Sequence, residues 1–267
     1  MGIAKENKIA LLIDADNAQS EFIESMLAEA GKNGKVTIRR IYGNWMDTRF
    51  SGWKEQINKF AIKPVQKFSL AKGKNSTDTA MIIDAMDILH SKAVSGFCIA
   101  SSDGDFTGLA QRIREEGVFV MGIGEATIVP DAFVNACDIF VYTENLVAEN
   151  GSEIIKTEAK TPGLEVKKKG KIVKQEVQKI IPTPDLPQNK ITNEPIDLKI
   201  IMNAFDMAVD VNGLAYMGEI GNALRKINHG FDSRTYGSAT ITNLFKRLPE
   251  LFELVYQDNN SSAYLKL

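Results

Sequence analysis

Four aspartates stand where short apolar runs end or where a helix begins. Asp14 closes "KIALLID", Asp103 and Asp105 follow "GFCIASS", and Asp78 lies in "KNSTDTAMIIDAM". An apolar run that leads into an acidic residue puts a carboxylate at a strand's carboxyl end, the rim where α/β sheets bind ligands. Carboxylates gathered there repel one another: two unit charges ~4 Å apart cost roughly 4 kcal/mol at an effective dielectric near 20. A hard divalent cation such as Mg²⁺ takes oxygen ligands and removes that cost. The chemistry this predicts is metal-dependent attack on a phosphodiester.

Each aspartate also has a plainer role. Asp14 could cap the helix that follows, but Asn17 and Ser20 lie closer to its start and are expected to cap it, leaving Asp14 for the ion. Of the pair Asp103 and Asp105, Asp105 is the better candidate for a cap alone. Asp78 is expected in the first turn of a helix capped by Ser76 or Thr77, where its charge suits the dipole. Lys72 and Lys74 precede it and suit backbone phosphates or an attacking water. Ser101 and Ser102 could bind a phosphate oxygen or water, or simply turn the chain. Asp84 is six residues beyond Asp78, about 240° round a helix, and is not expected in the same ligand shell; Asp87 is expected to face solvent. Trp45, Phe50 and Trp53, with Arg49 and Lys54, read as a mobile aromatic and basic loop that could stack bases or pack into the core.

Other chemistries find no support. His90 and His229 are isolated, which argues against zinc. The chain has no Ser/His/Asp or Cys/His constellation and no Walker-type glycine loop. With a formal net charge of -2 there is no global basic field, so nucleic acid must be met by local patches. Cys98 and Cys137 lie in or beside apolar segments and read as buried thiols of a cytoplasmic protein. No signal core or membrane-length apolar run is present, so a cytoplasmic location without a membrane partner is expected.

The elements that must position these residues alternate from about residue 8 to 145. Six strand-like segments ("KIALLID", "KVTIRRIYG", "IKPVQKF", "GFCIASS", "VFVMGIG", "DIFVYTE") are separated by stretches such as Phe22, Ile23, Met26, Leu27 and Ala30 that keep helical spacing. Repeated βα units predict an α/β fold: a mostly parallel sheet with helices on both faces, over residues 1–147. Residues 148–193 are rich in lysine (Lys167, Lys168, Lys169, Lys171, Lys174) and proline, and read as a flexible basic linker. Over residues 194–267, apolar faces at Leu198–Phe205, Met217–Leu224 and Ile241–Leu248 precede the hairpin-like "LFELVY" and "YLKL". Three helices and a hairpin are winged-helix architecture.

The segments "LLIDADNAQ", "RIYGNW", "KNSTDTAMIIDAMDIL" and "IASSDGDFTGLAQRIREEGVFVMGIG", in order across residues 8–145, resemble the NYN domain of the PIN-like nuclease superfamily. The resemblance implies a Rossmann-like sheet and RNA cleavage with Mg²⁺ or Mn²⁺ held by acidic residues. By position these are Asp14, Asp78, Asp103 and Asp105, with Asn17 nearby. The "SSDGDF" turn departs from the many relatives that carry a glycine beside the first aspartate, a change that should not remove a ligand. "GLAYMGEIGNALRKINHGFDSRTYGSATITNLFKRLPELFEL" resembles the OST-HTH (LOTUS) domain, associated with RNA or protein binding. There Arg225, Lys226, Arg234, Lys246 and Arg247 are expected to supply phosphate contacts. The expected function is a metal-dependent ribonuclease acting on single-stranded or structured RNA, with a protein partner and the oligomeric state left open. Two alternatives stand beside it. One is a non-catalytic RNA-binding adaptor. The other, weaker, is a haloacid-dehalogenase-like phosphatase, prompted by Asp14-Ala15-Asp16 but lacking the usual Thr or Val at Ala18.

Overall fold

The computed structural model describes residues 7–66, 76–150, 196–257 and 262–267. Six strands form one sheet: β1 (Lys8–Asp14), β2 (Lys35–Gly43), β3 (Lys63–Gln66), β4 (Gly96–Ala100), β5 (Phe119–Gly124) and β6 (Ile139–Tyr142). Their order is β3-β2-β1-β4-β5-β6, and every neighbouring pair is parallel. All six expected strands are present. The chain winds outward from β1 to β3, then crosses back to lay β4 against the other side of β1. Strand order reverses at that seam, and the crevice at the carboxyl ends of β1 and β4 is the switch point where such sheets bind ligands.

Alternation along β1 builds both faces. Ala10 and Leu12 join a core with Phe97 and Ile99 of β4, packed under α3 (Ser76–His90), α4 (Thr107–Glu115) and α5 (Asp131–Ala136). Ile9, Leu11 and Ile13 point the opposite way, onto α1 (Ile23–Gly31), α2 (Ser51–Lys59) and α6 (Thr143–Asn150). A central parallel strand covered on both sides reads as a continuous apolar run, as "IALLI" does. Of the two readings left open for the aromatic segment, core packing holds for Trp53: the segment contains helix α2, whose Trp53 is 3% exposed and packs in the second core. Its apolar positions are too few to declare a helix by spacing alone.

The C-terminal residues form α7 (Leu198–Ala208), α8 (Met217–Ile227), α9 (Ile241–Phe245) and an antiparallel sheet in the order β7-β9-β8. Strands β8 (Glu253–Gln257) and β9 (Ser262–Lys266) are the expected hairpin; β7 (Ala215–Tyr216) is too short to leave an alternating pattern. Ile201, Phe205, Ile220, Leu224, Phe245, Phe252 and Leu265 fill the core. This is a small helical and antiparallel domain of winged-helix kind. It lies along the outer edge of β6, where the Phe140 N–H donates to the His229 carbonyl at 2.9 Å. Gly230 is needed there, because a Cβ would stand 2.6 Å from the Tyr142 hydroxyl.

The lysine-rich residues expected as a linker lie almost wholly outside the described residues, as do Lys72 and Lys74. Among the described residues no helix is long and apolar enough to cross a membrane. Cys98 and Cys137 are buried free thiols.

Candidate metal centre

Asp14 ends β1 and is 0% exposed. One carboxylate oxygen accepts from Asn17 Nδ2 at 2.7 Å and from the Ser101 hydroxyl at 2.9 Å; the other accepts the Asp16 N–H at 3.1 Å. Burial pushes its pKa above the ordinary range, while these donors pull it back. Asn17 therefore orients Asp14 instead of capping a helix. Ser20 does not cap either, since its hydroxyl donates to Glu21, and the residue that opens α1 has no side-chain cap bond. The turn is made by the Asp14 carbonyl, which accepts the N–H of Ala18 at 2.8 Å. A fully buried, triply hydrogen-bonded Asp14 is out of reach of a phosphoryl group, which removes the main support for the phosphatase alternative.

The register that pairs Ile13 with Ala100 brings the end of β4 beside Asp14. Ser101 ties the two loops: its hydroxyl donates to Asp14 and accepts the Asp103 N–H at 3.1 Å. The Ser102 hydroxyl accepts the Glu125 N–H at 2.8 Å. Both serines are buried and hold the loop in shape. Asp103, with extended backbone, caps the short 3-10 turn Gly104–Phe106 by accepting the Asp105 N–H at 2.9 Å. The cap is thus Asp103, not Asp105 as the sequence led us to expect, because the capping residue is the one that precedes the turn. A carboxylate has about four lone-pair sites, so the cap bond leaves Asp103 able to bind an ion. Gly104 lets Pro130 close over the turn, where a Cβ would meet its ring at 2.9 Å.

Asp78 enters from the first turn of α3. Carboxylate oxygens of Asp78, Asp103 and Asp105 lie within 4.8 Å of one another. Asp78 is raised from 3.8 to about 6, first by burial and then by the charges of Asp14, Asp103, Asp105 and Asp16. Asp14 shares this field but stays outside the close group of three. Neither Asp78 nor Asp103 has an ion-pair partner among the described residues. Asp84 is elsewhere on α3: its carboxylate accepts from Arg40 and the Tyr42 hydroxyl of β2. Asp87 is exposed. Among the described residues the His90 and His229 rings bond backbone carbonyls, of Met86 and Asn135.

Of the five cations expected to meet phosphate, Arg225, Lys226, Lys246 and Arg247 are exposed, Arg247 also donating to the Tyr236 carbonyl and the Ser238 hydroxyl. Arg234 is not available. Its side chain is 11% exposed, paired with Glu29 of α1 at 2.7 Å and Asp232 at 2.6 Å. Glu29 was missed from the sequence, although its place beside Met26 and Ala30 on the apolar side of α1 was a signal.

The NYN domain profile matches residues 8–146, and the OST-HTH/LOTUS profile matches residues 194–263. The chain belongs to the NYN domain family. Two solved structures resemble this NYN protein. The crystal structure of a protein of unknown function from Vibrio parahaemolyticus is 20% identical, covering 53% of this chain and 96% of its own, with a TM-score of 0.45. The solution structure of an uncharacterized protein from Nitrosomonas europaea is 26% identical, covering 35% and 90%, with a TM-score of 0.27. No curated protein matches the sequence. The NYN acids suit a hard divalent ion: all donors are carboxylate oxygens, converging from α3 and the β4–α4 loop, where burial first and the neighbouring carboxylates second raise the pKa of Asp78.

Proposed function

We propose that this chain is a metal-dependent ribonuclease that hydrolyses RNA phosphodiester bonds, with Mg²⁺ or Mn²⁺ held by Asp78, Asp103 and Asp105. The approach of these three carboxylates at the switch point of the sheet carries the reading. A divalent ion there supplies Lewis-acid stabilisation of a phosphoryl oxygen and makes water more acidic. The chain's own residues supply position. Asp14, gripped by Asn17 and Ser101, fixes the loop that bears Asp103 and adds negative charge behind the site. Asp103 holds Asp105 in place through the cap bond. The C-terminal winged helix would bind RNA or a protein through the exposed Arg225, Lys226, Lys246 and Arg247.

The test is incubation of the purified protein with labelled single- and double-stranded RNA and DNA in Mg²⁺, Mn²⁺ or EDTA. Asp103→Asn keeps a residue that caps as well as aspartate, so the fold should persist while cleavage falls at least about 100-fold, the scale of losing one transition-state stabilising group. Cleavage of RNA by this variant at the parent rate, or equally in EDTA, ends the assignment.

A further inference from the structure

The chain between β2 and α2, together with β3, encloses a hollow of about 580 Å³ whose walls include Trp45, Met46, Phe50, Lys54, Asn58 and Pro64. The Trp45 ring is held in place. Its Nε1–H donates to the Val65 carbonyl at 3.1 Å, and it stands edge-on to Phe50 with 5.7 Å between centroids. Met46 is 78% exposed, unusual for a large apolar side chain with no burial to gain. Lys54 is exposed and has no ion-pair partner among the described residues. Arg49 lies over the Phe50 ring at 5.3 Å, is paired with Asp47 at 2.8 Å and reaches to 3.7 Å from Asp16, two residues beyond Asp14. Gly43, against which the Trp45 ring rests, also abuts Ala15. The hollow therefore adjoins the turn after β1, which carries Asp14 and Asp16 beside the acidic centre.

A fixed aromatic ring, an exposed methionine and the rim cation Lys54 match a nucleotide unit, in which a flat apolar base is joined to an anionic phosphate. An apolar peptide would use the walls but leave Lys54 unmatched. We propose that this hollow holds one unpaired nucleobase of the strand whose phosphodiester meets the aspartates. The inference rests on the ribonuclease reading and deepens it. A base within a duplex has both faces stacked and cannot enter without being flipped out, so the hollow selects single strands over duplexes.

The test uses the full chain in EDTA, where no cutting is expected, with a single-stranded RNA, its duplex, and the same strand carrying abasic positions. The chain has two tryptophans and Trp53 is buried, so quenching of emission reports Trp45. Single strands should quench Trp45 and bind about tenfold more tightly than duplex or abasic strand, the scale of one stacked base. Met46→Asp, at an exposed position that spares the fold, should lose most of that advantage. Lys54→Ala should weaken all strands alike and reduce the salt dependence. Equal binding of intact and abasic strands, or an unchanged preference in Met46→Asp, overturns the proposal even if Asp103→Asn still abolishes cleavage. A wild-type chain that binds no strand overturns it too, while calorimetric Mg²⁺ binding separately tests the acidic centre.

Discussion

Asp78 and Ser101 show how single side chains set the behaviour of the acidic rim. Asp78 has an ordinary value of 3.8 and is raised to about 6 in the fold. Between these values the folded chain binds the proton more tightly than the unfolded one, so metal-free stability should fall as pH rises from about 4 to 6 and level off above. Thermal unfolding in EDTA across this range should show the decline, and Asp78→Asn should flatten it. Mg²⁺ competes with the same proton, so its affinity, read by calorimetry, should strengthen as pH passes 6. Ser101→Ala removes a donor to buried Asp14 and the acceptor of the Asp103 N–H. Leaving buried polar groups unmatched costs about 1–3 kcal/mol each, and urea unfolding should register a loss of that order. At this scale the sequence was partly informative. Strand ends pointed to Asp14, Asp103 and Asp105 and a helix start to Asp78, of which the fold brings Asp78, Asp103 and Asp105 close together; they did not say which of Asp103 and Asp105 caps. That choice depends on the extended backbone at residue 103, for which "SSDGDF" has no periodic signal.

Helix α3 carries Asp78 at its start and is pinned farther along by Asp84, gripped by Arg40 and Tyr42. Asp84 acts through position, since it is not among the three close carboxylates. Asp84→Asn keeps a hydrogen-bonding side chain but loses the ion pair. The expected result is a kcat reduced severalfold with substrate KM little changed, alongside weaker Mg²⁺ binding in calorimetry. Unaltered kinetics and metal affinity would make the clamp purely structural. The six strands were legible because a parallel sheet buried on both faces demands apolar runs, which β1 and β4 supply. Helix α2 was not, because buried Trp53 and partly buried Ile57 are its main apolar anchors on an otherwise polar surface. Arg40 and Tyr42 were missed because β2 alternates inward and outward positions that carry no mark of a distant aspartate.

Over the whole molecule, Arg234 couples the winged helix to the NYN domain. Its guanidinium lies between Glu29 and Asp232, and Asn145 donates to Thr235 at 3.0 Å nearby. Removing one partner of a pair with so little solvent leaves a stranded charge, a loss of about 3–5 kcal/mol when burial is complete; some exposure and the Lys32 contact to Glu29 reduce it here. Arg234→Ala should lower the unfolding midpoint and split one calorimetric transition into two, with Glu29→Ala doing the same and the double variant adding little. Independent additive losses would show that the two residues do not act as a pair. Only three-dimensional packing could reveal this contact, since the partners are 205 residues apart and nothing in "FDSRTYG" names a target.

The hydrogen bond from Phe140 to His229 occupies an outward-facing amide of the last strand in the sheet. Were the winged helix to swing away, that ribbon margin would regain a vacant donor next to apolar side chains, the template on which copies zip together. Covering that margin is thus a second use of the C-terminal domain, in addition to whatever it grips.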